Sequence, residues 1–392
     1  MKIRLFFRAA AALIFIAMLC IPAAFSLWQG AAGMAPLKKE TPASAPEPWL
    51  AWRQPAQFTA QFENWFNDSL SFRALFIRWN NVLRLALFHE SAVKGVRIGQ
   101  QGWLYYADEW NMEDYENIMP YSQNDLAGIA RVLEQRRCWL AARGIKFFVL
   151  VAPNKHTIYP EYLPPHIHKI GQRSRLDQVA GYLAAHTDIE LIDVRSELLA
   201  AKEKQHVYHL TDSHWNDRGA FVACKKIMER INKYFPAVSV PHEDAYTIAE
   251  KLGDGGDLAN MLTMKDILKE ERITMTPKAG LQAIESTRDY PDPVSLAGRE
   301  MVVRQTGDLR LPRALVFRDS FGWALIPFFA EFFQSSVYVW TFDFLPELIE
   351  REKPDIVIFE CAERYITSLT QENPETVRAV YKTQAEPPAF YK

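Results

Sequence analysis

The chain has 392 residues, 49% of them hydrophobic, and its 45 basic and 47 acidic side chains leave a formal charge of −2. A nucleic-acid binder carries a strongly basic surface, so this balance excludes that class. The length suffices for one large α/β domain or two smaller ones.

The first 30 residues read as a transmembrane signal-anchor. Lys2, Arg4 and Arg8 precede an uncharged apolar run from Ala9 to Trp28. A run of about 20 residues is long enough to cross a bilayer as a helix. Positive charge stays on the cytoplasmic side, so the remainder is expected outside the inner membrane, in the periplasm. A cleaved signal peptide is the competing reading, with Ala24-Phe-Ser26 or Gly30-Ala-Ala32 as cleavage sites. The length of the run and the placement of Trp28 favour the uncleaved anchor. Leu19 is too large for the small-residue pattern that would mark Cys20 for lipid attachment.

Residues 31–57 are rich in Ala and Pro and read as a linker. Over residues 58–94, Phe62, Phe66, Leu70, Phe72, Phe76, Trp79 and Leu83 recur at helical spacing. One or two amphipathic helices are expected, with Asp68-Ser69 as the break. The polar face holds too few lysines for a helix lying on a membrane.

From residue 95 to 392 the pattern is that of a single α/β domain. Val96-Arg-Ile-Gly and Gly102-Trp-Leu-Tyr-Tyr read as a hairpin. Leu126–Arg143 is a predicted helix, with Asn124 or Asp125 near its cap and Gly144 after it. Lys146–Ala152 is continuously apolar, as a strand buried on both faces must be. A helix over Ser174–Ala185, a strand over Ile189–Val194 and a helix over Arg218–Tyr234 follow. Strands are expected at Ala314–Phe317, Ser336–Trp340 and Asp355–Phe359, with Leu325–Phe333 and Leu345–Arg351 helical between them. Strands alternating with helices imply a mostly parallel central sheet covered on both faces, three layers in all. Residues 236–306 are less regular and read as an insertion. Cys138, Cys224 and Cys361 are an odd set with no Cys-x-x-Cys, so no disulfide is required.

Two segments supply residues suited to nucleophilic catalysis. Asp212-Ser-His214 precedes the Arg218 helix, and Arg318-Asp-Ser320 follows the Ala314 strand. A serine hydroxyl needs an adjacent base, and the base needs a third group to orient it. Residues i and i+2 of extended chain share a side, so Asp212 can hold one imidazole nitrogen while the other faces Ser320. The bland reading is helix capping by Asp212, Ser213 and Asn216 for one segment and by Ser320 or Asp319 for the other. Backbone N–H groups at the helix start beside Ser320 are candidate oxyanion donors. A metal reading competes, from His206, His209, Asp212 and His214, but these lack the spacing of a zinc hydrolase. No metal and no cofactor is expected. Asn154 and Lys155 lie just past a strand end, where Asn154 offers an oxyanion donor and Lys155 a site for an anionic group. Arg318, Trp215 and Arg364 are further candidates for substrate or oxyanion contacts. Glu360 and Glu363 lie near Arg364, and Glu363 reads as a surface ion-pair group. Trp103, Tyr105, Tyr106 and Trp110 are either core or a sugar-stacking platform.

With these residues in view the chain resembles the SGNH-like acetyltransferases of exopolysaccharide export, the alginate O-acetyltransferase family. The resemblance rests on Gly102-Trp-Leu-Tyr-Tyr106, Val151-Ala-Pro-Asn-Lys155 with Tyr159-Pro160, Asp212-Ser-His-Trp-Asn216 with Gly219-Ala220, Gly256-Asp-Leu258 and Arg318-Asp-Ser-Phe-Gly322. It implies an SGNH-hydrolase-like fold in permuted order, with Ser320 as nucleophile, His214 as base and Asp212 as its orienting acid. Arg318 stands where the usual motif has glycine. The expected activity is transfer of an acetyl group through Ser320 to a sugar hydroxyl of a polysaccharide. The resemblance also implies a multi-spanning membrane O-acyltransferase as acetyl donor. A carbohydrate acetylesterase and a non-catalytic polysaccharide-binding or assembly subunit are the alternatives.

Overall fold

The structure, a computed structural model, describes residues 16, 44–69, 71–288 and 299–370. The expected membrane anchor falls outside this range except for Ile16, which is helical. Among the described residues no helix is long and apolar enough to cross a membrane.

Within those residues the chain divides into two units, one up to Val93 together with Met261–Met264, the other from Lys94 onward. The first is helical. A short turn at Leu50–Arg53 precedes α1 (Pro55–Ser69) and α2 (Ser71–Phe88), so two helices fill the segment read as amphipathic. α1 begins inside the stretch read as linker, because a proline fits the first helical position, where no N–H is needed.

The second unit is built on a sheet. β1 (Val96–Ile98) and β2 (Leu104–Tyr106) form the expected antiparallel hairpin. Then come α3 (Gln123–Ala141), β3 (Lys146–Ala152), α4 (Arg175–His186), β4 (Glu190–Asp193), α5 (Arg195–Lys202) and α6 (Asp217–Asn232). The caps explain the boundaries. Ser122 and Ser174 each begin a reciprocal capping box, with Asp125 and Asp177. Asn216 accepts from the Arg218 and Gly219 amides to start α6. Of the three residues read as caps for this helix, only Asn216 is one.

Residues 236–306, expected to be irregular, contain ordered strands. β5 (Tyr246–Gly253) and β6 (Glu270–Pro277) make a long antiparallel ribbon. β7 (Ile284–Ser286) and β8 (Met301–Gln305) join the main sheet. β9 (Arg313–Arg318), β10 (Ser335–Trp340), α7 (Pro346–Glu352) and β11 (Ile356–Ala362) complete it. The order is β4-β3-β11-β9-β10-β8-β7. The first five strands are parallel, and β8 and β7 add antiparallel pairs at one edge, so the sheet is mixed.

Period-two alternation along the strands makes two cores. Phe148, Leu150 and Ala152 of β3 face α5 and α6, packing with Leu198, Phe221, Cys224 and Ile227. Phe147, Val149 and Val151 face α3, α4 and α7, packing with Leu133, Val179 and Leu348. This is the expected three-layer arrangement. Cys138, Cys224 and Cys361 are free thiols, the last two buried in these cores.

Candidate active site

β3, β11 and β9 lie side by side and parallel, with Ala152 level with Ala362 and Phe359 level with Phe317. Their carboxyl ends therefore deliver Asn154, Arg364 and Ser320 to one edge, where ligands sit in open α/β sheets.

Ser320 follows β9 and opens the 3-10 turn Phe321–Leu325, but its hydroxyl caps nothing. Oγ instead lies 2.8 Å from His214 Nε2. On the other side of the ring, Nδ1 is 2.7 Å from Asp212 Oδ1. One tautomer satisfies both bonds, with Nδ1–H donating to the carboxylate and Nε2 accepting from the serine. The Asp212–His214 segment is a bend rather than extended chain. The pairing survives because Asp212 Oδ1 also accepts the His214 amide at 3.1 Å, closing a tight local ring. Burial pushes the Asp212 carboxyl up, but its bond to His214 and that ring's charge hold it well below the usual carboxylate range. Asp212 is thus an anionic acceptor for the imidazole, not a helix cap.

The loop is held from outside. Tyr208 and Trp215 bridge its base, and Glu270 of β6 accepts the Thr211 amide at 2.8 Å. Gly256 approaches so closely that an added Cβ would lie 2.3 Å from Asp212 Cβ. Lys155 lies beneath it, 2% exposed, donating to the carbonyls of Leu104, Leu210 and Asp212 at 2.7, 2.8 and 3.0 Å. All three ammonium hydrogens are used, so Lys155 is scaffolding and not the anion site expected of it. Burial lowers its pKa to about 7.

Four other expectations are corrected. Trp215 is buried against Phe321, and its Nε1–H donates to the Phe321 carbonyl at 3.1 Å, so it faces the core. Arg318 is fully buried, 3.0 Å from Glu300 and against the rings of Trp323 and Trp340, so its guanidinium is engaged in the core. Glu363 is not a surface ion-pair group: it is buried and accepts the Asn154 amide at 2.9 Å and the Thr157 hydroxyl at 2.6 Å. The Phe321 amide, expected to be open beside Ser320, is taken by Asp319 Oδ1 at 2.8 Å. Asp319 also accepts the Ala362 amide and donates its own N–H to Glu360, and burial pushes both carboxyls up.

Asn154 and Arg364 do come together. Arg364 Nη1–H lies 3.4 Å from Asn154 Oδ1, and the guanidinium stands over the Phe321 ring. That contact uses the oxygen end of the amide and not the Nδ2 hydrogens. Of the aromatic candidates, Trp103 and Tyr105 are core, with Trp103 stacked on Tyr159 and Tyr162, while Trp110 is exposed. His206 and His209 do not join the site as metal ligands. His209 faces Glu270, and burial lowers its pKa to about 4. Among the described residues the group able to hold a metal ion is Asp212, His214 and Asp257, whose ligand atoms lie within 4.8 Å of one another. Asp257 was named in the sequence only within Gly256-Asp-Leu258, one of the segments that carry the resemblance, with no role of its own. Its place beside the imidazole comes from a contact 45 positions away, which no local spacing signals.

Residues 96–299, just over half of the chain, match the family described as SGNH hydrolase-like domain, acetyltransferase AlgX. The chain belongs to that family. The matched segment holds Asp212, His214 and Asp257 and stops short of Ser320. Among curated proteins the chain is 26% identical over 212 residues to the probable alginate O-acetylase AlgJ of Pseudomonas syringae pv. tomato, covering 53% of this chain and 51% of that one. Over 326 residues it is 25% identical to the AlgJ of Azotobacter vinelandii, covering 78% of each. The chain thus spans about half the length of the first of these relatives. Two solved structures share the fold of this SGNH-like family member. Bacillus cereus PatB1 superposes with a TM-score of 0.51 at 18% identity, covering 68% of this chain and 95% of that one. A DHHW family protein from Eubacterium siraeum DSM 15702 gives 0.52 at 16%, covering 75% and 97%.

Proposed function

We propose that this chain is a polysaccharide O-acetyltransferase that works through a Ser320 acyl-enzyme. The unbroken run of hydrogen bonds from Asp212 through His214 to Ser320 carries this reading. Ser320 Oγ attacks the carbonyl carbon of an acetyl ester while His214 Nε2 takes its proton. The resulting imidazolium passes that proton to the leaving oxygen, and the acetyl group remains on Ser320 as an ester. A sugar hydroxyl then attacks, giving its proton to His214, and Ser320 is released as the alcohol. Asp212 fixes the tautomer and stabilises the imidazolium. The Asn154 amide, at the same edge of the sheet and with its oxygen end held by Arg364, is the candidate donor to the developing oxyanion. If water attacks instead, the same site is an acetylesterase.

The basic start and apolar run support a location at the periplasmic face of the inner membrane, and the family resemblance supports a multi-spanning membrane acyltransferase as donor. The names of the curated relatives support an alginate-like acceptor polymer.

The test is incubation of the full chain with an activated acetyl ester and an oligosaccharide, followed by mass spectrometry. An acetylated peptide containing Ser320 and an acetylated sugar are expected. Acetyl release by Ser320→Ala within about threefold of the parent would end the assignment. Free acetate without acetylated sugar would make the protein an esterase. Loss of activity on removing a stoichiometric metal would move the chemistry to Asp212, His214 and Asp257. A reporter fused after Lys392 should be active only in the periplasm.

A further inference from the structure

Asp257 belongs to no part of the mechanism above, yet its carboxylate faces the same ring nitrogen as Asp212. Asp257 Oδ2 lies 3.5 Å from His214 Nδ1. Asp257 Oδ1 accepts the Ser213 amide at 2.7 Å, and Oδ2 accepts the Ser213 hydroxyl, whose oxygen is itself 3.3 Å from Nδ1. In the other direction the Asp257 amide donates to Asp212 Oδ2 at 3.0 Å. The two acids are therefore clipped together, each through a different atom of the same bend.

The segment bringing Asp257 here is fixed independently of the triad. Thr211 Oγ1 accepts the Gly256 amide at 2.8 Å, and the Thr211 carbonyl accepts the Ala259 amide at 3.1 Å. Any side chain at Gly256 would strike Asp212. Such close docking of two carboxylates is costly: burial and the neighbouring Asp212 charge both push the Asp257 carboxyl up. Two anions packed together are compensated when a cation forms between them, and the cation available is the imidazolium of acyl transfer.

We propose that Asp257 is a second positioning carboxylate for His214, sharing with Asp212 the orientation of the ring and the charge it gains when it takes the Ser320 proton. This rests on the acyl-transfer reading above. No atom is transferred to Asp257. The proton moves from Ser320 Oγ to Nε2, and the charge on the ring is felt by Asp212 directly and by Asp257 directly and through Ser213. The charged or titratable groups facing the cluster from other elements are Tyr106 on β2, Lys155 beyond β3, His209 upstream and Asp319 beyond β9.

The test is steady-state kinetics on the full chain with an activated acetyl ester across pH, with melting temperatures measured alongside. Asp257→Asn keeps an acceptor for the Ser213 amide but removes the charge. It should lower kcat about 10- to 100-fold with little change in KM, the scale of one partly screened charge at this distance. An anion beside the ring favours its protonated form, so its loss should move the acid limb of the pH–rate profile to lower pH. Asp212→Asn should stay at least about tenfold above His214→Ala, because the ring can turn its hydrogen bond to Asp257. Asp212→Asn with Asp257→Asn should fall to the His214→Ala level. A folded Asp257→Asn with the rate and acid limb of the parent overturns the proposal, as does Asp212→Asn already as dead as His214→Ala. If Asp257→Asn does not fold, Asp257→Ser, which keeps a short acceptor, takes its place in the same comparison. Ser320→Ala separates the two failures. If it stays active, the acyl-transfer reading falls. If it is dead while Asp257→Asn is unchanged, only the role of Asp257 falls.

Discussion

The proposed nucleophile and its proposed base are positioned by opposite kinds of structure. Ser320 hangs from β9, which is flanked by β10 and β11 in the sheet, so hydrophobic packing on both faces fixes its place. His214 stands on a bend with no sheet around it, fixed by polar groups reaching in from elsewhere: Lys155 from beyond β3, Glu270 from β6 and Asp257 from the segment between β5 and β6. The first arrangement tolerates polar substitution at its rim. The second depends on each of a few buried polar contacts, because a buried acceptor left without its donor loses the full desolvation penalty.

The largest effect should come from breaking the contact where the two regions meet. His214→Ala and Ser320→Ala should each lower acetyl release on the order of 10⁴-fold or more, and the double change should be scarcely worse than either. Losses that multiply in a full set of rate measurements would mean that the two residues act apart.

Lys155→Met should separate the regions. It removes a donor from the carbonyls of Leu104, Leu210 and Asp212, of which Leu210 still accepts the Leu104 amide, and should cost about 2–4 kcal/mol in denaturant unfolding. Ser320 stays on its sheet while the His214 bend shifts, so kcat should fall with KM little changed. The sign with pH is set by burial. The folded pKa of Lys155, about 7, lies below its ordinary value, so the unfolded chain binds more protons between the two. The parent therefore gains stability as pH rises from about 7 towards 10, and Lys155→Met should lose that slope.

Glu360→Gln probes the Ser320 side, where the slope has the opposite sign. Burial, then the neighbouring Asp319 charge, raises the Glu360 carboxyl, so the folded chain holds a proton that the unfolded chain releases. Stability falls as pH rises above the ordinary glutamate range. The amide keeps an acceptor for the Asp319 N–H and needs no proton. It should raise stability by at least about 1 kcal/mol at pH 8 and do little at pH 4, with activity kept. A variant less stable than the parent at pH 8 would show that Glu360 is charged in the folded state.

The smallest effect is expected at Asn216→Ala. It removes the α6 cap and should cost about 1 kcal/mol in melting experiments while leaving the kinetics nearly intact.

How much of this was legible in the sequence follows the same division. β3, β9, β10 and β11 are buried on both faces, so their runs of Val, Ile and Phe announced them. Their ends placed Ser320, Asn154 and Arg364 correctly. The β5–β6 ribbon is mostly exposed, with Glu250 and Lys251 in mid-strand, and gave neither an apolar run nor a clean alternation. Asp212 and His214 were found because they are two residues apart. The work of Lys155, Glu270 and Asp257 was hidden because each meets the bend from 44 or more positions away. Trp215 was misplaced because neighbours along the chain alternate in direction and its ring points inward, while Arg318, two residues before Ser320, is held in the core by Glu300 and the Trp323 and Trp340 rings.

The order of the strands fixes when this protein can begin to function. β11, the last strand among the described residues, lies between β9 and β3, and β3 is made long before it. Until Ile356–Ala362 has emerged, those two neighbours have no common partner, and the strand ends carrying Asn154 and Ser320 are not held side by side. Closing the sheet around a late central strand joins residues more than two hundred apart in sequence, a slow kind of assembly. A chain interrupted before that strand carries all three members of the hydrogen-bonded trio without the strand that joins β3 to β9, so on the proposed reading an incomplete product is expected to be inert.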